Sequence, residues 1–262
     1  MCISDTVGAG GTNNATDIKT VQVLLNLNRT RFAMPELLDP DGRLGAKTSG
    51  ALGAFQAQVM GLTLTDGRVA PGSATLAALA AGMPPGFSGE KLPGILINAT
   101  RQHIDLYAGP LASKMVAAAI TTPLRQAHFL AQLGHESGEL RYTEELASGD
   151  AYEGRRDLGN TAPGDGRRFK GRGLIQLTGR ANYQAYSDAI GRNLVDGDNP
   201  HLLATDPDLA VDVACWFWQT HGLSGLADRD DVIGITKKIN GGLNGLPDRE
   251  RLLGRGRFFL VG

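Results

Sequence analysis

Apolar side chains recur at helical spacing near the start of the chain, where Ile18, Val21 and Leu25 fall on one face with Leu24 beside them. This pattern predicts an amphipathic helix from Asp17 to Asn28, with Thr16 as its N-cap. A second helix is expected from about Ala46 to Met60, where Leu52, Phe55 and Val59 share a face. A shorter third helix follows Ser73, and Asp41-Gly42 and Asp66-Gly67 mark turns between the helices. Residues 1–82 therefore read as a small three-helix domain. Two prolines and three glycines in Gly82-Met83-Pro84-Pro85-Gly86-Phe87-Ser88-Gly89 disfavour both helix and strand, which places a linker at 83–90.

Residues 91–262 read as a larger, mainly α-helical domain. Leu92–Tyr107 and Leu111–Ile120 are apolar and amphipathic, and Thr122-Pro123 opens a helix with cap and first-turn proline in order. Leu124, Ala127, Leu130, Ala131 and Gly134 form a buried stripe of mostly small residues in that helix. The segment Gly149–Gly173 breaks the pattern. It is rich in glycine, carries Arg155, Arg156, Arg167, Arg168, Lys170 and Arg172, and reads as a long functional loop. Asp206-Pro207 starts a further helix through Trp216 and Trp218 to about Thr220, and a last one runs from Asp230 to Ile239.

Composition narrows the classes of partner. With 26 Lys and Arg against 27 Asp and Glu, nothing global points to nucleic acid or a membrane surface. The charges balance in both parts, with six of each sign in residues 1–85. Cys2 and Cys215 cannot form a multi-bridge framework, and a reducing compartment during synthesis is the simpler expectation. The opening MCISDTVGAGGTNN has no basic start and no apolar run, so no secretory signal is expected, and no stretch approaches the ~20 apolar residues of a membrane span.

The candidate chemistry lies in His135-Glu136-Ser137-Gly138, in Glu145 nine residues after Glu136, and in the polar segment Gly171-Arg172-Gly173-Leu174-Ile175-Gln176-Leu177-Thr178. Glycoside hydrolysis needs one carboxylic acid to protonate the leaving oxygen and one carboxylate to activate water or attack carbon. Glu136 comes at or just past the C-terminal end of the helix opened by Pro123, where the helix dipole and an apolar floor would favour the acid form. Other readings are weaker. A zinc-binding His-Glu-x-x-His fails because Glu139 stands where the second histidine would be. His128 is expected to be a buried, hydrogen-bonded histidine, Cys215 to be buried, and Trp216, Phe217 and Trp218 to be core rather than a sugar platform.

These motifs carry two resemblances. Val21-Gln22-Val23-Leu24-Leu25-Asn26, Asp41-Gly42-Arg43-Leu44-Gly45, Thr48, Phe55-Gln56 and Asp66-Gly67 resemble the three-helix peptidoglycan-binding domain of bacterial and phage wall hydrolases. Phe129–Gly138, Tyr152-Glu153-Gly154-Arg155, Gly171–Tyr183, Ile239-Asn240-Gly241-Gly242 and Asp248-Arg249 resemble, in order, the signatures of glycoside hydrolase family 19, the chitinase and lysozyme-like group. The combination looks like a modular phage endolysin.

The resemblance implies Glu136 as general acid, Glu145 as general base and Thr178 as the hydroxyl that helps hold the attacking water. It also implies Gln176, Asn182 and Asn240 as substrate-binding amides and Arg249 as a structural or charge-tuning residue. Glu139 and Glu144 are rivals for the base, Glu153 has no role readable from its chemistry, and Asn244 stands where plant members carry a third acid. The implied activity is inverting cleavage of β-1,4 bonds in bacterial peptidoglycan, with no metal or organic cofactor, no nucleic-acid partner, no membrane insertion and a monomeric enzyme. Such a protein would be made in a host cytoplasm and reach the wall once the membrane is permeabilised. A chitinase using the same residues, and a non-catalytic wall-binding protein, are the alternatives.

Overall fold

Asn14, rather than Thr16, caps the first helix: its side chain accepts from the Asp17 amide at 2.9 Å. The computed structural model describes residues 2–34 and 36–262. Helix α1 (Ala15–Leu27) buries Ile18, Val21, Leu24 and Leu25, as its periodicity predicts. Asp17 is also buried, where its Oδ2 accepts from the amides of Ser4 and Asp5 at 2.9 and 2.7 Å and so ties the leading segment to the helix. Helices α2 (Ala46–Gln58) and α3 (Ala74–Ala81) complete the N-terminal trio, with Ser73 capping α3.

A duplicated clamp, not anticipated from the sequence, fixes the two Asp-Gly turns. Gln22 donates to Asp41 Oδ1 (3.0 Å), Arg43 O (3.1 Å) and Thr48 Oγ1 (3.2 Å), while its Oε1 accepts from Gly42 N (3.0 Å). Gln56 repeats the arrangement with Asp66 (2.6 Å), Arg68 O (3.2 Å), Thr75 (3.2 Å) and Gly67 N (2.9 Å). The amide hydrogen bonds lead in holding the Asp41 and Asp66 carboxyls below the usual range. The second turn also supplies β2 (Arg68–Val69), which pairs antiparallel with β1 (Val7–Gly8), Val7 opposite Val69.

Residues 82–88 contain neither helix nor strand. Beyond them the apolar pattern at 92–120 divides differently from expectation. Helix α4 (Leu92–Ile95) stops at once, and α5 (Arg101–Ala117) begins after Thr100, whose hydroxyl accepts from His103 N at 3.2 Å. Helix α5 then runs straight through Pro110. Burial of Tyr107, Leu111 and Met115 along one side outweighs the one helical hydrogen bond that a proline removes.

Helix α6 (Pro123–Glu136) is capped by Thr122 and buried from Gln126 to Gly134. The loop region holds two 3₁₀ turns and the short α7 (Asp165–Arg168). Then come α8 (Arg180–Ile190), α9 (Leu202–Thr205), α10 (Pro207–Thr220), α11 (Leu223–Ala227), α12 (Val232–Asn240) and α13 (Leu246–Leu260). Helices α8 and α13 are additions to the sequence-based expectation. Arginines and glycines mask the pattern in α13, because Arg249, Arg255 and Gly256 are themselves on its buried side. A Cβ at Gly256 would stand 3.1 Å from Ala127 Cα, so this glycine lets α13 lie close along α6.

The N-terminal helices and the rest of the chain share one hydrophobic core among the described residues. Buried Arg255 on α13 donates to Gly94 O (2.7 Å), Thr20 Oγ1 (2.9 Å) and Cys2 O (3.4 Å). Lys19 on α1 donates to Ile97 O at 2.6 Å, and Arg29 pairs with Glu90 at 2.9 Å. The connecting segment is held too, by buried Lys91 donating to Pro84 O and Gly86 O at 2.6 and 2.7 Å.

Candidate active site

Glu136 is the last residue of α6, and its carboxylate is met by the guanidinium of Arg249, an ion pair in which Arg249 is only 1% exposed. The apolar floor expected beneath Glu136 is therefore replaced by a cation. Arg249 also donates to Gln132 Oε1, one turn back on α6, and its Nε reaches Asn244 O at 3.4 Å. The preceding His135 contacts Asp248 Oδ2 through Nδ1 at 2.8 Å. Burial opposes the charge on Asp248, but hydrogen bonds from His135 and Arg251 prevail and hold its carboxyl below the usual range. Gly245 leaves room for the His135 ring, since a Cβ there would fall 2.1 Å from it.

After α6 the backbone turns through three consecutive left-handed residues, Gly138, Glu139 and Leu140. Only glycine adopts that region without cost, and each other residue pays roughly 1–2 kcal/mol. Side-chain bonds offset the cost. Glu139 accepts from Asn98 N and Nδ2, both at 2.7 Å, and from Arg251 at 2.8 Å, while Ser137 Oγ accepts from Leu140 N at 2.8 Å. Glu139 is thus engaged in holding the turn.

The turn delivers Glu144 and Glu145 to an extended segment paired with residues 171–173. Glu144 bridges to Arg172, and Arg172 to Leu177, both antiparallel. Extending those pairings by one residue sets Glu145, Gly171 and Thr178 in a single row, where facing side chains lie on the same side. Glu145 N donates to Gly171 O at 2.9 Å, which fixes the first half of that row. Neighbouring residues on extended backbone point to opposite faces. Glu144 accordingly pairs with buried Arg172 at 2.9 Å, whereas Glu145 accepts from the Tyr152 hydroxyl at 3.0 Å and from Gly171 N at 3.2 Å. Burial first, and then the contact with Glu145, keep the proton on Tyr152.

The missing side chain of Gly171 lets neighbouring groups come close to its backbone. A Cβ there would stand 2.9 Å from Gln176 Oε1 and 3.4 Å from Glu145 Oε2, so an amide and a carboxylate converge over bare backbone. Gln176 is itself left-handed, at φ +57°, and its Nε2 donates to Gly173 O at 3.0 Å. The Thr178 hydroxyl donates to Gln176 O at 2.9 Å, which leaves its oxygen able to accept. Asn182 donates to Thr178 O at 2.7 Å and supports the same turn.

The residues singled out from sequence thus form two clusters, Glu136 with Arg249 and Glu145 with Gln176, Thr178 and Asn182. Asn240 belongs beside the first. Its Nδ2 donates to Asn244 O (2.9 Å) and its Oδ1 accepts from Gly242 N (2.8 Å), so both ends of the amide shape the loop that meets Arg249. Glu153 acquires a role: its two oxygens accept from Gly164 N and Gly166 N at 2.7 and 2.8 Å and clip the long loop together. The loop's basic residues are mostly engaged within the chain, Arg155 with Asp157, Arg167 with Asp150, Arg168 with Val195 O and Arg172 with Glu144. Tyr152 was missed as a site residue. It lies in a motif noted from sequence, but its reach back over seven residues to Glu145 is a property of the folded loop.

Elsewhere, Trp218 is buried edge-on against Phe129, and Trp216 leans on Tyr186. His128 is buried with Nε2 on Asp230 at 2.7 Å, and burial raises the Cys215 thiol to about 12. Among the described residues no group of three or more His, Cys, Asp or Glu is arranged to hold a metal ion, and no helix is long and apolar enough to cross a membrane.

Residues 121–242 match the family 19 glycoside hydrolase model, chitinase class I. A glycosyl hydrolase family 19 domain-containing protein of Haemophilus influenzae is 32% identical over 173 residues, 54% of this chain and 83% of that protein. An endochitinase of Arabidopsis thaliana is 35% identical over 145 residues, of which the chain spans 45% of the plant protein's length. Among solved structures, chitinase C from Streptomyces griseus shares the fold with a TM-score of 0.54 at 23% identity, covering 66% of this chain and 92% of that one. On these matches the chain belongs to glycoside hydrolase family 19 and is a chitinase-like glycoside hydrolase.

Proposed function

We propose that this chain is a wall-degrading enzyme of the endolysin type, which hydrolyses β-1,4 glycosidic bonds of bacterial peptidoglycan with inversion. The observation that carries the mechanism is the convergence of the Glu145 carboxylate and the Gln176 amide over the bare backbone of Gly171, in the row that extends to Thr178. A water seated there gives its proton to Glu145 as its oxygen attacks the anomeric carbon. Tyr152, donating to the other carboxylate oxygen, keeps Glu145 aimed at that water. Glu136 gives its proton to the departing glycosidic oxygen, and Arg249, held independently by Gln132 and Asn244, receives the carboxylate so formed. The result is one bond broken, one water added, and a proton passed from water to Glu145 and from Glu136 to the leaving sugar.

The N-terminal helices, by their resemblance to peptidoglycan-binding domains, favour the wall as substrate. We place the enzyme's action on the wall after the membrane is permeabilised, as a monomer. Cleavage of chitin is the second reading, favoured because the plant relatives bear the name endochitinase. Incubation with purified peptidoglycan and with chitin, followed by proton NMR of the first-formed products, tests both readings. Soluble α-anomeric fragments from peptidoglycan are expected. Release from chitin alone would transfer the assignment to chitin, and a β-anomer first would mean retention and remove the water-activating role of Glu145.

A further inference from the structure

A second recess, of about 740 Å³, opens where the N-terminal helices meet the hydrolase part. Helix α1 forms one wall with Thr16, Lys19 and Val23 at helical spacing, residues 37–41 form another, and the opposite side runs from Gly89 to Ala108. Val23, Leu38, Ile97 and Ile104 give it an apolar lining, and among the described residues no Trp, Tyr or Phe contributes.

Its charges are mixed and partly unengaged. The carboxylate of Asp39 makes no hydrogen bond or ion pair among the described residues. Arg101 uses Nε on Asp105 and leaves its terminal nitrogens open, and Lys19 retains one N–H beyond its bonds to Ile97 O and Ala99 O. An open carboxylate and open cations over an apolar floor complement a short peptide that carries both carboxylates and an amine. They do not complement a polyanion.

The groove also lies beside the turn that follows Glu136, at the acid end of the proposed glycan cleft. Asn98 lines it and holds Glu139, which is three residues, or at most ~10 Å of backbone, beyond Glu136. An extended tetrapeptide spans about 13 Å. A peptide branching from a sugar near Glu136 is therefore longer than the backbone that separates Glu136 from Glu139. We infer that this junctional groove binds the stem peptide of peptidoglycan, reading the peptide while the cleft holds the glycan. The inference rests on the peptidoglycan reading of the cleft.

The test titrates the full chain with L-alanyl-γ-D-glutamyl-meso-diaminopimelyl-D-alanine by calorimetry, beside the variants Asp39→Lys and Thr16→Trp. Both positions are exposed, and neither side chain holds the fold together. Saturable binding is expected, weakened tenfold or more in both variants, with hydrolysis of a peptide-free oligosaccharide unchanged. Absence of saturation at millimolar peptide, or wild-type affinity in both variants, would overturn the groove assignment even if peptidoglycan is cleaved. Peptide binding that the variants abolish, in an enzyme that cuts only chitin, would keep the groove and remove the peptidoglycan reading of the cleft.

Discussion

Glu136 and Glu145, the proposed acid and base, differ in what surrounds them. Glu136 faces a fixed guanidinium, while Glu145 faces a phenol, a backbone amide and the Gln176 amide over Gly171. Either Glu136→Gln or Glu145→Gln should reduce turnover by ~10²–10⁴-fold with the fold intact, as measured by reducing-end release and circular dichroism. Glu144→Gln should not, because Glu144 points to Arg172 on the other face. Wild-type turnover in Glu145→Gln would remove that residue as base. A sharper check is Gly171→Ala. Gly171 is not among the glycines at positive φ, so alanine fits the backbone, and its tightest contact, at 2.9 Å, is the movable end of Gln176, with Gln176 Cβ and the Glu145 carboxylate at 3.4 Å. Melting temperature should hold while activity falls. Tyr152→Phe removes one donor that aims the Glu145 carboxylate, so steady-state kinetics should show a lower kcat with KM little changed.

At the scale of elements, the segment between α6 and the extended pair is held against its own backbone preference. The left-handed run 138–140 carries two non-glycine residues, and Glu139 supplies three of the bonds that hold it. Glu139→Gln keeps the shape but weakens its charge-assisted bonds, for an expected loss of about 1–3 kcal/mol. Urea unfolding should show the lower midpoint, with specific activity of the folded fraction near wild type. Full loss of activity in a folded Glu139→Gln would return it as a rival to Glu145. This is also where sequence reading ran short. Periodicity located α1, α2, α3, α6, α10 and α12, whose buried faces are apolar. It overlooked α13, whose buried face includes two arginines, and divided 92–120 wrongly, because packing carries α5 through Pro110 while α4 ends after one turn.

For the whole molecule, Arg255 joins three segments that are distant in sequence. Arg255→Met strands three acceptors at that junction, at about 1–3 kcal/mol, or roughly 3–10 °C in melting temperature at this size. An unchanged calorimetric melt would mean the contact adds nothing to the union of the two parts. Acid sensitivity follows from His128, whose proton affinity burial lowers in the folded state despite Asp230. As pH falls below the ordinary histidine value of 6.5, the unfolded chain takes up a proton that the fold does not, and stability declines. The melting temperature should therefore drop between pH 7 and pH 5, and less so in His128→Gln. Equal slopes in the two proteins would exclude the histidine as the cause.

Helical periodicity and capping residues are local, and the sequence alone yielded a mainly α-helical chain and the capped helix that carries Glu136 near its end. Tertiary structure alone decided the rest. Arg249 reaches Glu136 across 113 residues, Glu153 clips a loop instead of titrating a substrate, and the groove beside α1 exists only where two parts of the chain meet. Each of these depends on which groups face one another after packing. A one-dimensional pattern records the period of an element, and carries no information about what stands opposite it.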